Sequence, residues 1–157
     1  MQFLDKENRR VILTYKNDKD IANGNHVLAI PFYKQQLLFT QHKLRGIEFP
    51  GGKREEGETS MEAIKRELFE ETGAQCQKLT YIAQYEVFTK DKTPFVKDVY
   101  AIEVSRIDKK NDYLETAGPI LYQRLNDIPE NKRSYLIQDA AIQQCLERVK
   151  LLGLYSL

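Results

Sequence analysis

Between Phe49 and Ala74 the chain reads FPGGKREEGETSMEAIKRELFEETGA, a stretch that concentrates carboxylates around a glycine pair and a predicted helix over residues 59–72. At about 100° per residue, Glu67, Glu70 and Glu71 fall within one arc of about 100° on that helix. Met61, Ile64, Leu68 and Thr72 form the neighbouring stripe expected to pack on a sheet. Like charges at i,i+4 cost an isolated helix about 0.2–0.5 kcal/mol per pair, so three carboxylates beside a buried stripe call for compensation. A divalent cation supplies it, and an oxygen-only ligand set suits Mg²⁺ or Mn²⁺. Each piece has a bland reading when taken alone. Glu-x-x-Glu-Glu is more often a solvated helix face, Gly51-Gly52 a plain turn, and Glu55, Glu56 and Glu58 a solvated charge run.

The joint spacing is far more specific than any piece. Gly52 is followed after five residues by Glu58, and after seven more by Arg66-Glu67. Then come Leu68, any residue, Glu70-Glu71, any residue, Gly73 and Ala74. At roughly 7% usage per residue, seven such fixed positions would arise by chance on the order of once in a million chains. The segment resembles the Nudix box. Its approach, Glu48-Phe49-Pro50-Gly51-Gly52-Lys53, is similar to that of MutT-type nucleoside triphosphate diphosphatases. Ala74 stands where the box has a larger aliphatic residue, a departure that bears on packing at the helix exit more than on chemistry.

The resemblance implies an α/β (α+β sandwich) fold: a curved mixed β-sheet between helices, with the box as a loop–helix–loop. It implies Glu67, Glu70, Glu71 and the carbonyl of Gly52 as metal ligands. Glu58 would support them or reach the metal through water, and Arg66 would orient the carboxylates by charge-assisted hydrogen bonds. The general base that takes the proton of the attacking water is Glu67 or Glu115, the latter in Tyr113-Leu114-Glu115-Thr116-Ala117-Gly118-Pro119. The expected reaction converts purine nucleoside triphosphates such as 8-oxo-dGTP to monophosphate and pyrophosphate with Mg²⁺, Mn²⁺ being an alternative. A chemically equivalent cut at 5′-triphosphate RNA ends is the second reading. A nucleotide sensor without catalysis is a third, and it is disfavoured because all four box glutamates are present.

Other residues are weaker candidates. Lys53, Arg45 and Lys43 are placed to meet phosphates, although a single such lysine or arginine is usually a solvated surface cation. Ile30, Phe32, Tyr85 and Phe88 lie on predicted strands that would wall a base pocket, a role that competes with simple core packing. Asn131, in Pro129-Glu130-Asn131-Lys132, stands where MutT-type enzymes place a base-reading asparagine. Two histidines and no clustered cysteine argue against a zinc site.

The elements that must hold these residues follow from patterning. Strands are expected at Val11–Tyr15, His26–Tyr33, Leu37–Gln41, Leu79–Thr89, Phe95–Val104 and Ile120–Leu125. Lys34-Gln35-Gln36 reads as one hairpin turn and Asp91–Pro94 as another. His42–Gly57 shows little periodicity. A second helix is expected over Ser134–Leu152, and Gly73 should end the first.

The whole chain of 157 residues reads as one domain, with 41% hydrophobic and 30% charged residues and a mean hydropathy of −0.56. The longest apolar runs fall far short of the roughly 20 residues of a membrane span, and the charged N-terminus does not read as a secretion signal. Cys76 and Cys145 form no metal or disulfide pattern, so a reducing, cytoplasmic setting is expected. The formal net charge of +1 lacks the basic excess of a duplex-DNA binder, while leaving room for a small anionic ligand.

Overall fold

In the computed structural model, which describes residues 1–90 and 93–155, one mixed sheet is flanked by two α-helices. Its strands are β1 (Gln2–Leu4), β2 (Arg10–Tyr15), β3 (His26–Tyr33), β4 (Gln36–His42), β5 (Gly46–Glu48), β6 (Gly51–Lys53), β7 (Ala74–Val87), β8 (Phe95–Ile107) and β9 (Thr116–Tyr122). The helices are α1 (Ser60–Thr72) and α2 (Ala140–Leu151). The sheet order is β1-β2-β7-β8-β3-β4-β5, with β6 also on β3 and β9 on β4. Among the paired strands described, β3 and β8 alone run parallel.

β3 has two neighbours on one side. It meets β4 at Phe32↔Leu37 and Tyr33↔Gln36, and β6 at His26↔Lys53, Val27↔Gly52 and Leu28↔Gly51. β4 therefore leaves β3 after the hairpin, and the glycine pair fills the vacated edge. Lys34 and Gln35 form the turn, with φ of 49° and 65°, as a two-residue loop of the type that matches strand twist demands.

Side chains alternate across the sheet. Val27, Ala29, Tyr100 and Ile102 pack with Ile64 and Leu68 of α1, whereas Leu13, Leu28, Ile30 and Val99 pack with Ile142, Cys145 and Val149 of α2. α1 is closed at both ends. Thr59 and Glu62 form a reciprocal capping box, and Gly73, at φ 77°, ends the helix in the left-handed conformation.

Several expectations need correction. Met61 is exposed, and the buried face comprises Ser60, Ala63, Ile64, Leu68 and Thr72. That face is centred near Glu71 on the wheel, so Glu67 and Glu71 stand within it rather than beside it, and Glu70 lies just past its edge. The predicted helix at Ser134–Leu152 is interrupted: Tyr135–Gln138 is a 3-10 turn, and α2 begins only after Asp139. β9 starts at Thr116 rather than Ile120, because its pairing with β4 begins at His42↔Thr116. The aperiodic His42–Gly57 segment holds β5 and β6, each three residues long. The turn expected at Asp91–Pro94 falls partly outside the described residues. Cys76 and Cys145 are free thiols. No helix among the described residues is long and apolar enough to cross a membrane.

Candidate active site

Arg66 organises the acidic cluster. Its Nε and Nη2 donate to Glu58 at 2.6 and 3.0 Å, and its Nη1 donates to Glu67 at 3.0 Å and to Glu70 at 3.2 Å. Nη2 also reaches the Lys53 carbonyl at 3.2 Å. One planar fork thus ties β6, the loop before α1 and two turns of the helix. The guanidinium holds the Glu58 carboxyl below the usual carboxylate range.

Glu67 lies over Gly52. A Cβ at Gly52 would come within 2.5 Å of Glu67 Oε1, so only glycine leaves this seat free. Glu71 is deeper. The Gly51 amide donates to its Oε2 at 3.1 Å, its other oxygen accepts no bond from the described residues, and burial pushes its pKa up to about 8, with Glu67, Glu48 and Glu70 adding to the rise. Burial raises Glu67 as well, against the pull of Arg66. The hydroxyls of Thr40 and Thr116 both donate to the Glu71 carbonyl, at 3.1 and 3.2 Å, which fixes the C-terminal end of the acidic face.

The donor set fits a hard divalent cation. It consists of oxygens alone, it includes a buried carboxylate with a free oxygen, and a glycine opens the floor. In the present arrangement Arg66 lies among the carboxylates, and no three of the described acidic, histidine or cysteine side chains already converge on a common point.

A cavity of about 170 Å³ adjoins the cluster, lined on one side by Gly51 and Gly52. Its floor follows from strand register. Lys53, His26, Lys97 and Tyr85 are successive partners across β6, β3, β8 and β7, so their side chains share the α2 face, and the last three line the cavity. Phe49, Phe95 and Leu136 contribute walls, and Asp139 stands at the start of α2. The Lys97 ammonium lies 5.6 and 5.8 Å from the Tyr85 and Phe95 ring centres and has no hydrogen bond or ion pair among the described residues. Burial lowers its pKa and raises that of Asp139. The His26 and Phe95 rings meet in a tilted contact with centroids 5.0 Å apart, and burial, Lys97 and Lys53 together depress the His26 pKa.

The structure thus brings Gly52, Glu58, Arg66, Glu67, Glu70 and Glu71 together and sets Tyr85 and Lys53 beside them. It separates others. Phe32 lies at the far end of β3, six residues from His26, and lines a different cleft with Tyr155. Ile30 is fully buried core, and Phe88 stacks under Arg10. Asn131 is exposed in a 3-10 turn outside the cavity. Arg45 lines the cavity but is held by Glu48 at 2.8 and 3.1 Å, and Lys43 donates to the Leu114 carbonyl, so neither is a free phosphate ligand. Glu115 is exposed in the loop before β9 and lines no part of the cavity, with its carbonyl accepting from the Lys43 amide. Lys97, Phe95 and Asp139 escaped the sequence reading. The signal available was the shared face of Phe95 and Lys97 at i,i+2 on the predicted strand from Phe95 and the position of Asp139 before α2.

An arginine clamps the acidic helix over a glycine pair on a split mixed sheet, and the class this defines is a loop–helix–loop protein with a carboxylate cluster at its centre. The NUDIX domain pattern matches residues 22–118, and the chain belongs to the Nudix hydrolase family, whose members generally work with a divalent cation. It is 36% identical over 154 residues to YtkD of Bacillus subtilis (strain 168), a protein named provisionally as an 8-oxo-dGTP diphosphatase, with 97% of each chain covered. It also resembles the crystal structure of a point mutant of the Bacillus subtilis pyrophosphohydrolase BsRppH, with a TM-score of 0.90, 35% identity and 99% of each chain covered. A NUDIX hydrolase from Nitrosomonas europaea shares the fold at a TM-score of 0.65 and 20% identity, over 87% of this chain and 94% of that one.

Proposed function

We propose that this protein hydrolyses purine nucleoside triphosphates, with 8-oxo-dGTP as the leading substrate, to the monophosphate and pyrophosphate, using Mg²⁺ or Mn²⁺ in a cytoplasmic setting. One observation carries the reading: Gly51 and Gly52 belong to both halves of the site, anchoring Glu71 and Glu67 on one face and lining the cavity on the other. A substrate base in the cavity therefore places its phosphates at the acidic cluster.

Glu67, Glu70, Glu71 and the Gly52 carbonyl would hold the cation, with Glu58 and Arg66 fixing the geometry around them. When bound, such a cation neutralises phosphate charge and acidifies water. Glu67 takes the proton of the attacking water, because it is the box carboxylate seated over the glycine floor, while Glu115 is an exposed loop residue that lines no part of the cavity. Lys53 and His26 flank the path of the phosphates.

In the cavity, Tyr85, Phe95 and Phe49 offer ring faces to a base. Protonated Lys97 can only donate hydrogen bonds, whereas ionised Asp139 can only accept them. Together they suit a 6-oxopurine, whose O6 accepts and whose N1–H and 2-amino group donate, and they disfavour adenine. The cavity is well below the roughly 300–1,000 Å³ of sites that enclose drug-sized ligands, so it accommodates the base and leaves the sugar outside. That feature supports the second reading, a 5′-triphosphate RNA end whose 3′ extension stays in solvent.

The test is product analysis with 8-oxo-dGTP, dGTP, dATP and a short 5′-triphosphate RNA in Mg²⁺ or Mn²⁺. Monophosphate and pyrophosphate from the guanine nucleotides, lost in Glu70→Gln and Glu71→Gln with the fold intact, is the expected result. Faster turnover of the RNA than of any mononucleotide would make the second reading the primary one. Absence of pyrophosphate from all four would overturn both. Glu115→Gln should leave kcat within about fivefold, whereas a loss comparable to that of Glu67→Gln would transfer the base role to Glu115.

A further inference from the structure

Asp98, on β8, is fully buried and plays no part in the chemistry above. No cation pairs with it among the described residues. Its carboxylate instead accepts four neutral donors: the Gly24 amide at 2.7 Å, Ser60 Oγ at 2.7 Å, Tyr81 OH at 2.7 Å and Gln84 Nε2 at 2.9 Å. Tyr100 OH in turn donates to Ser60 Oγ at 2.7 Å. A buried charge is costly, and a hydrophobic residue at this place in the sheet would pack without that cost. The arrangement therefore invites a reason.

The sheet register supplies one. Asp98 pairs with Val27, and Val27 pairs with Gly52, so Asp98 and Gly52 stand in one row on the α1 face, two strand spacings or about 9.6 Å apart. Ser60, bonded to Asp98, and Glu67, seated on Gly52, are seven residues apart on α1, about 10.5 Å along its axis. The two lengths match. Pinning Ser60 on Asp98 therefore delivers Glu67 to Gly52, and one turn later Glu71 to the Gly51 amide. A slip by one residue would carry Glu67 about 1.5 Å along the axis and turn it about 100° away from the floor that glycine leaves open.

We infer that Asp98 is a positioning residue: through Ser60 it sets the axial register of α1 over the sheet and thereby assembles the cation-binding carboxylates. The inference rests on the proposed metal-dependent function for its consequence but not for its geometry. Capping residues hold helix ends in many proteins; here the clamp fixes a length, from Ser60 to Glu67, against a strand row.

The experiment uses Ser60→Ala, which cuts the link while Gly24, Tyr81 and Gln84 still satisfy Asp98, and Asp98→Ala, which removes the anchor. Two readouts are taken below the melting temperature of each variant. One is Mn²⁺ affinity by electron paramagnetic resonance, and the other is the amide shift and hydrogen exchange of Gly51 in metal-free protein. Both variants should bind Mn²⁺ about tenfold more weakly, the range seen when groups that orient metal ligands are removed. In both, the Gly51 amide should exchange faster as its bond to Glu71 is lost, and kcat should fall with KM within twofold. A lowered melting temperature with Mn²⁺ affinity and the Gly51 amide unchanged would overturn the inference and leave Asp98 a purely structural residue. If Asp98→Ala does not fold, Ser60→Ala decides alone. Wild-type protein that takes up no Mn²⁺ would sink the proposed function, and the Gly51 amide would still decide the register.

Discussion

Gly52 and Glu67 occupy a space that has room for only one side chain. A Cβ on residue 52 would stand 2.5 Å from Glu67 Oε1 and 2.6 Å from its Cδ. Those atoms end a flexible side chain, so Gly52→Ala is accommodated by expelling the carboxylate rather than by moving backbone. Gly52→Ala should melt close to wild type yet lose about a hundredfold or more in kcat, which calorimetry and steady-state kinetics together would check. A melting temperature that collapses alongside activity would mean that the backbone moved instead.

Arg66 presents a planar fork to Glu58, Glu67 and Glu70. Lysine carries the charge but offers a single point of attachment. Arg66→Lys is expected to cut kcat by about ten- to a hundredfold while the nucleotide KM changes little, because the carboxylates lose their orientation and the base cavity does not. Equal losses in kcat/KM through KM alone would place Arg66 on the substrate instead.

Lys97 has aromatic neighbours and, among the described residues, no acidic partner within ion-pair distance. Methionine preserves its length and apolar stem. Lys97→Met should therefore lower the preference for guanine over adenine nucleotides by about tenfold, through loss of the donor to O6. The two kcat/KM values measured on one preparation give the ratio directly, and an unchanged ratio would remove Lys97 from base reading.

His26 carries a pH prediction. Burial, Lys97 and Lys53 depress its folded-state pKa below the ordinary 6.5. As pH falls through 6.5, the unfolded chain takes up the proton first, so folding stability declines below that point and the residue contributes nothing above it. NMR titration should place the His26 midpoint below 6.5. The difference in melting temperature between wild type and His26→Gln should shift in favour of the variant on acidification from pH 7 to 5. A midpoint above 6.5 would mean that an acidic neighbour controls the ring.

The acidic constellation was legible from spacing because it is local. Gly52 to Gly73 lie on one loop–helix–loop, and helical periodicity alone brings Glu67, Glu70 and Glu71 to one side. Thr59, Glu62 and Gly73 likewise announce the ends of α1 through their own side chains or lack of one. The strands at His26–Tyr33 and Phe95–Val104 could be read from their β-branched and aromatic residues.

What alternation along a strand cannot reveal is which end of it reaches the site. Phe32 and His26 share one face of β3, yet about 20 Å of strand separates them, and only the pairing of His26 with Lys53 and Lys97 shows which of them lines the cavity. Asn131 is exposed in a turn outside the cavity, whereas Asp139, eight residues further on and just before α2, lines it. The burial of Glu71, the pairing of Arg45 with Glu48 and the seating of Asp98 beneath Ser60 all join residues from different elements. The sequence alone determined the family, the acidic helix and its caps, since these depend on neighbours along the chain. Tertiary structure decided the depth of each carboxylate, the residues around the base and the register of α1, since these depend on which strands lie side by side.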